Sequence, residues 1–352
     1  MHGQIAVIFC KNENSCSGLL RTKFSQKIVK NKNKFHPLER TGEKKVFHIH
    51  IFVFANVNKH DMYTPYFVDL LRRLHYNVIM QIFQARAKIN FALNVIGRKE
   101  NMHLLDGLYA TCRLGDKITL SARSDDKINV RYVGRDGLYE NDGSFFAAKR
   151  LQERYGTPGV DIVVEKKIAE MRGLGGSSAD AAGVARAFSS EFGLGKIDEK
   201  LLVELGSDVP FQYEGGFARV KGKGESIKTL FLPKVYLAIL YPPKGVSTAE
   251  CFSLYDRVGG EAGDVDELIE SLSKKRKPVF FNALEKAATM LVEEIGTCRK
   301  VLEEAGFNCG MTGSGSAMFG IEYEERDFRK KLKEVIVPEG FTLTETVTEA
   351  NI

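Results

Sequence analysis

Residues 170–185 read EMRGLGGSSADAAGVA, three closely spaced glycines running into small side chains, and few folds have a use for such a run. The preceding VDIVVEKKI sets Val160, Ile162 and Val164 in strand-like alternation, blurred by Val163. The following DAAGVARAFSSEFG is alanine-rich, lacks proline and meets Gly193 and Gly195, which predicts a helix ending there. Strand, glycine loop and helix together turn backbone N–H groups toward an anion, because the first helical turn leaves its donors unpaired and its dipole positive. The competing account is a tight turn whose glycines serve only unusual dihedrals or close helix packing. Two familiar phosphate motifs are excluded. A Walker loop needs a lysine after its last glycine, where this chain has Ser177 and Ser178, and a dinucleotide fingerprint needs a third glycine where Ser178 stands.

A chain of 352 residues is long enough for two domains. Its formal charge of +6 is concentrated at one end, since residues 1–79 hold 13 Lys/Arg against 5 Asp/Glu and the remainder 38 against 40. A near-neutral body without a recognition signature excludes a global nucleic-acid surface. Six of the seven histidines also precede residue 80. Residues 1–79 therefore form a basic, His-rich extension, and Met80 marks the expected true start of the protein. Within the extension, VFHIHIFVFANV is too short and polar to span a bilayer and reads as a strand, with HIH a weaker candidate metal pair. Cys10, Cys16, Cys112, Cys251, Cys298 and Cys309 are dispersed without a CxxC, which predicts reduced structural thiols. A cytoplasmic enzyme with no membrane span is expected, with organellar targeting by residues 1–79 left open.

Four further pieces matter together. AKIN puts Lys88 and Asn90 in an extended apolar segment, where a half-buried ammonium must meet an anion or carboxylate. GRKENMHLLDGLYATCRLGDKITL contains His103 and an LGD step that reads as a turn before a strand. LGSDVPF places Asp208 before a Val-Pro step, where a turn aspartate is the plain alternative. GMTGSGSAMFGI is a second glycine and hydroxyl cluster before an apolar strand. FLPKVYLAILYPP, around Pro233, is the candidate domain boundary, and PVFFNALEKAATMLVEEIGTCRKVLEEAG shows helical spacing at Leu284, Ala287, Ala288 and Leu291 with Gly306 as a stop.

In order and spacing, AKIN, GLGGSSADAA, LGSDVPF and MTGSGSAMFG resemble the GHMP kinase superfamily from about Met80 to Gly320 or beyond, and most closely its members that phosphorylate a cytidyl diphosphate alcohol in non-mevalonate isoprenoid synthesis. The resemblance implies an α+β, two-domain GHMP kinase fold. An ATP-binding domain over 80–232, like ribosomal protein S5 domain 2 and with a left-handed βαβ crossover, would precede a ferredoxin-like domain over 233–352. It also implies a loop wrapping the ATP triphosphate through Ala169, Glu170, Met171, Arg172, Gly173, Leu174, Gly175, Gly176, Ser177, Ser178 and Ala179. Asp208 is then the base toward the substrate hydroxyl, and Lys88 lies beside both it and the γ-phosphate. Asn90, His103, Gly313, Ser314 and Gly315 are the implied substrate-binding residues, with His103 at the cytosine end. Magnesium would accompany ATP; its protein ligands are unassigned, Ser178 being a candidate that serves equally well as a helix cap. Some positions depart from the pattern: Met102 replaces an aromatic residue before His103, Ala169 replaces a proline, Arg172 adds a cation, and Asp142-Gly143 stands where Asn-Leu is expected near adenine. The alternatives are another small-molecule kinase of the superfamily, acting on homoserine, mevalonate or a sugar, and a weakly active ATP-binding regulatory homologue. Neither nucleic acid nor membrane is an expected partner, and oligomeric state is not legible.

Overall fold

The computed structural model describes residues 4–12, 15–23, 81–100 and 102–349. The chain divides into two compact units, Met1–Val78 and Ile79–Ile352. In the first, β1 (Gln4–Asn12) and β2 (Ser15–Lys23) pair antiparallel. The expectations for VFHIHIFVFANV and for Met80 as a start lie outside the described residues.

The second unit begins with two long strands, β3 (Ile82–Lys99) and β4 (Met102–Ala122), paired antiparallel along their length. The LGD step expected to turn lies inside β4: Gly115 faces Arg86 and Asp116 faces Ala85, beside a register irregularity that falls between the Arg86–Gly115 and Lys88–Thr111 pairs. A Cβ on Gly115 would come within 2.8 Å of the Ala85 carbonyl oxygen, so this glycine serves close strand approach instead of a turn. Then follow β5 (Ile128–Tyr132), α1 (Gly143–Tyr155), β6 (Val160–Glu165) and α2 (Gly176–Phe192). β5 and β6 are parallel neighbours joined through α1. After them come α3 (Glu199–Leu205), α4 (Val209–Glu214), β7 (Phe217–Gly222) and β8 (Ser226–Leu230). β4 is long enough to take two partners on one edge, β7 along Leu105–Ala110 and β6 along Lys117–Ala122.

α2 lies across β3 and β4 with Ala179, Ala181, Ala182, Val184, Ala185, Ala187 and Phe188 buried. Its alanine content has a packing reason, since small side chains let a helix axis approach a sheet closely. Gly193, at φ +61°, closes the helix in the left-handed conformation.

Beyond Pro233 a second sheet forms from β9 (Tyr236–Tyr241), and the chain continues through α5 (Thr248–Val258), α6 (Val265–Ser273), β10 (Phe281–Asn282), α7 (Glu285–Leu291) and α8 (Glu294–Glu304). It ends with β11 (Asn308–Met311), β12 (Met318–Glu322), α9 (Glu325–Glu334) and β13 (Thr342–Val347). The second sheet runs β11-β12-β9-β13, antiparallel throughout, while β10 instead joins the first sheet beside β3. The helical spacing read through residues 284–304 resolves into two helices, because Val292 adopts extended backbone between them. The described cysteines 112, 251, 298 and 309 are free and buried. Among the described residues no helix is long and apolar enough to cross a membrane.

Candidate active site

Lys88 and Asn90 project from the same face of β3, two residues apart, and both are nearly fully buried. The Lys88 ammonium donates to Asn90 Oδ1 at 2.5 Å, stands 3.6 Å from Asp208 Oδ2, and lies 5.6 Å from the centre of the Tyr109 ring. Tyr109 is the cross-strand partner of Asn90 on β4. Burial raises the Tyr109 hydroxyl well above its usual range, and the negative charge of Asp208 adds to the effect.

Asp208 precedes α4 without capping it: its carboxylate accepts no hydrogen bond from the first turn and stays partly exposed. Asp208 does stand in a turn after α3, but its carboxylate is not spent on capping α4. One helical turn later, Gln212 Nε2 donates to the Arg86 and Gly175 carbonyls at 2.9 and 3.2 Å. This buried amide ties α4 to both β3 and the glycine loop, fixing Asp208 beside Lys88.

The loop has two sets of close neighbours. A Cβ on Gly173 would fall 2.0 Å from the Thr312 carbonyl oxygen, and one on Gly175 would fall 2.8 Å from Lys88 Cγ. Both glycines have positive φ, +72° and +70°. Their necessity thus comes from the protein's own packing. The donors of the helix start are a separate matter: α2 has no side-chain N-cap, so its leading N–H groups are not consumed by one. The Lys88 N–H donates to Leu174 O at 3.0 Å, and Leu174 and Ala179 point into the core, so these two anchor the loop and offer no side chain to a ligand. Ser178 Oγ lies 3.7 Å from the Cβ position of Gly206, beside the Asp208 turn.

Arg172 binds the loop to the second sheet. It donates to the Pro243 carbonyl at 2.6 Å, lies over the Tyr241 ring at 5.5 Å, and its own carbonyl accepts from Ala317 N–H at 3.3 Å. Thr312 Oγ1 bonds both Asn90 N–H and Gly173 O, at 3.0 and 3.3 Å. Gly313, Ser314 and Gly315 are therefore carried on a loop locked to the glycine loop and to β3.

Behind the loop, Asp116 accepts from Lys167 N–H, Ile168 N–H and the Lys166 ammonium, which also reaches Asp180 at 2.7 Å. One ammonium between two buried carboxylates neutralises only one of them. Burial, with Asp116 nearby, accordingly pushes Asp180 up to about 8. Burial opposes the Lys166 charge, but Asp180 and Asp116 outweigh it and raise the ammonium's affinity for its proton. A cavity of about 300 Å³ opens here, lined by residues that include Tyr132, Tyr139, Asp142, Lys166, Ser177 and Asp180. Asp142 caps α1 by accepting from Phe145 N–H at 2.8 Å, which gives this departure from the expected Asn a structural use. Ala169 and Glu170 lead into the loop, Glu170 pairing with Arg135 at 2.9 Å.

His103 stands apart from the Lys88 and Asp208 pair. It lies near the hairpin end of β4, stacked on Phe252 with centroids 4.6 Å apart, edge-on to Tyr255, and 2.6 Å from Asp256. All three partners are on α5, whose first residue, Thr248, bonds Ser314 Oγ at 3.0 Å. One helix thus joins the His103 cluster to the Gly313–Gly315 loop. Phe252, Tyr255, Asp256, Gln212, Thr312 and the Asp116–Lys166–Asp180 cluster escaped the sequence reading, because each acts through a contact between segments far apart in the chain. Among the described residues no group of three or more His, Cys, Asp or Glu could hold a metal.

Comparison with known proteins bears on the family and the fold. The family profile described as GHMP kinases N terminal domain matches residues 143–217, and that described as GHMP kinases C terminal matches 260–335. The 4-diphosphocytidyl-2-C-methyl-D-erythritol kinase of Moorella thermoacetica is 34% identical over 261 residues, covering 70% of this chain and 91% of the relative. The Bacillus subtilis kinase of the same name is 32% identical, covering 69% and 89%. A crystal structure of 4-(cytidine 5'-diphospho)-2C-methyl-D-erythritol kinase superposes with TM-score 0.65 at 30% identity, covering 77% of this chain and all of that one. Homoserine kinase from Cytophaga hutchinsonii, at TM-score 0.58 and 18% identity, covering 79% and 97%, shares the fold alone.

Proposed function

Because this chain belongs to the GHMP kinase family, we propose that it transfers the γ-phosphoryl group of ATP to the 2-hydroxyl of 4-diphosphocytidyl-2-C-methyl-D-erythritol, a step of non-mevalonate isoprenoid synthesis. The observation that carries the reading is the Lys88 ammonium held 3.6 Å from the uncapped Asp208 carboxylate, directly beneath Gly175. Phosphoryl transfer needs alignment and charge stabilisation more than covalent chemistry, and that pair supplies both a proton acceptor and a cation.

In this reading Asp208 takes the proton of the substrate hydroxyl. Lys88, oriented by Asn90, stands beside that carboxylate and meets the negative charge developing on the transferred group. Backbone N–H groups from Gly173 to Ser178 hold the phosphates, and the cavity beside Tyr132 and Tyr139 takes the base of the nucleotide. Ser178 Oγ, next to the Asp208 turn, is the side-chain oxygen that fits magnesium, which when bound neutralises phosphate charge. The cytidyl end lies along α5 at His103 and Phe252, and the diphosphate passes Ser314 on its way to Asp208. The protein acts in the cytoplasm.

The test is ADP release from magnesium ATP by the purified protein with the cytidyl substrate, homoserine and mevalonate in separate reactions. Turnover with the cytidyl alcohol is expected. Turnover confined to homoserine or mevalonate rejects the substrate and keeps the kinase.

A further inference from the structure

The His103 ring is held by more than stacking. Its Nε2 lies 2.6 Å from Asp256 Oδ1, and the other oxygen of that carboxylate accepts from Arg98 Nη1 at 3.1 Å. Only 13% of the His103 side chain is exposed, against 36% for Asp256 and 53% for Arg98, so the ring is fixed while its anchor is half in water. An ionised carboxylate can only accept hydrogen bonds, and an imidazole nitrogen facing one must therefore carry hydrogen. Asp256 stays ionised because the His103 hydrogen bond, aided by the charge of Arg98, lowers its proton affinity. In the neutral ring, Nδ1 is then left with a lone pair.

That lone pair distinguishes two otherwise similar bases. Cytosine presents an amino N–H at C4, whereas uracil presents a carbonyl oxygen there. An acceptor at Nδ1 bonds the first and repels the second. We infer that Asp256 is a positioning residue for base specificity: by fixing His103 as the Nε2–H tautomer, it makes the site select a cytidyl over a uridyl substrate. Arg98 supports it by holding the carboxylate from β3, and Tyr255 and Phe252, both uncharged, complete the surroundings of the ring. The inference rests on the cytidyl reading above and adds the group that enforces it.

Two measurements test it on the full chain. Nitrogen-15 NMR of His103, assigned by comparison with His103→Gln, reads the tautomer directly: Nε2–H is expected in the unmodified protein. Nδ1–H there overturns the inference whatever the kinetics show. Steady-state kinetics with the cytidyl substrate and its uridyl counterpart then read the consequence. Asp256→Asn, whose amide can donate to Nε2 and reverse the tautomer, is expected to raise KM for the cytidyl substrate about tenfold, leave KM for ATP unchanged, and narrow or invert the base preference. Asp256→Glu keeps an acceptor and is expected to retain the preference for cytosine. Should Asp256→Asn weaken both bases equally, or change neither, Asp256 has no part in selection. Absence of cytidyl turnover in the unmodified protein is a different failure, that of the substrate reading itself.

Discussion

Lys88 and Asp208, 120 positions apart in the sequence, meet with ammonium nitrogen and carboxylate oxygen 3.6 Å apart. The distance is a loose ion pair, wide enough for a hydroxyl to approach the carboxylate while the cation stays within reach of its phosphoryl target. Asn90 and Gln212 hold the two partners from opposite sides, one through the ammonium and the other through α4.

Asp208→Asn removes the proton acceptor and keeps the shape. The variant should fold and bind ATP normally while kcat falls by roughly a thousandfold or more. Near-normal turnover would remove Asp208 from the role of base.

Gly173→Ala must adopt φ +72° with a methyl group 2.0 Å from the Thr312 carbonyl oxygen. Backbone cannot yield as a flexible side chain does, so a loss of about 2 kcal/mol or more in unfolding free energy is expected, together with weaker ATP binding. Chemical denaturation and nucleotide titration measure the two. Unchanged values in both would mean that the loops at 173 and 312 do not interlock.

Asp180 gives a pH dependence with a definite sign. Its carboxyl holds a proton up to about 8 in the folded protein, against an ordinary carboxylate value in the unfolded chain. Between those values the folded state binds the extra proton, so this group's contribution to stability is largest in acid and declines as pH rises toward 8. The slope is at most about 1.4 kcal/mol per pH unit, shared among Asp116, Lys166 and Asp180. Asp180→Asn should flatten it and raise Tm relative to the unmodified protein above pH 8. An identical pH dependence in both proteins would show that Asp180 is ionised throughout.

Every proposed site residue and both family matches lie after Met80. A chain beginning there should keep ATP-dependent turnover within about twofold of the full chain. A folded but inactive truncation would assign residues 1–79 a part in the reaction.

The sequence alone determined the pieces whose meaning is local. Alternation at Val160, Ile162 and Val164, the glycine stop at 193 and the alanine-rich run between predicted a strand, loop and helix that the structure contains, because these features depend on neighbours a few residues away. The ordered motifs identified the superfamily and named Lys88 and Asp208. The LGD step misled because glycine serves close strand approach as readily as turns, and only the partner strand decides which. Likewise one helix was read where Val292 makes two. Tertiary structure alone decided that Asp208 leaves its own helix uncapped, that Gly173 is required by Thr312, that Lys166 sits between Asp116 and Asp180, and that Asp256 fixes His103. The last three are contacts between residues distant in the sequence, which have no periodicity to read, and the first is a side-chain orientation that residue identity does not fix.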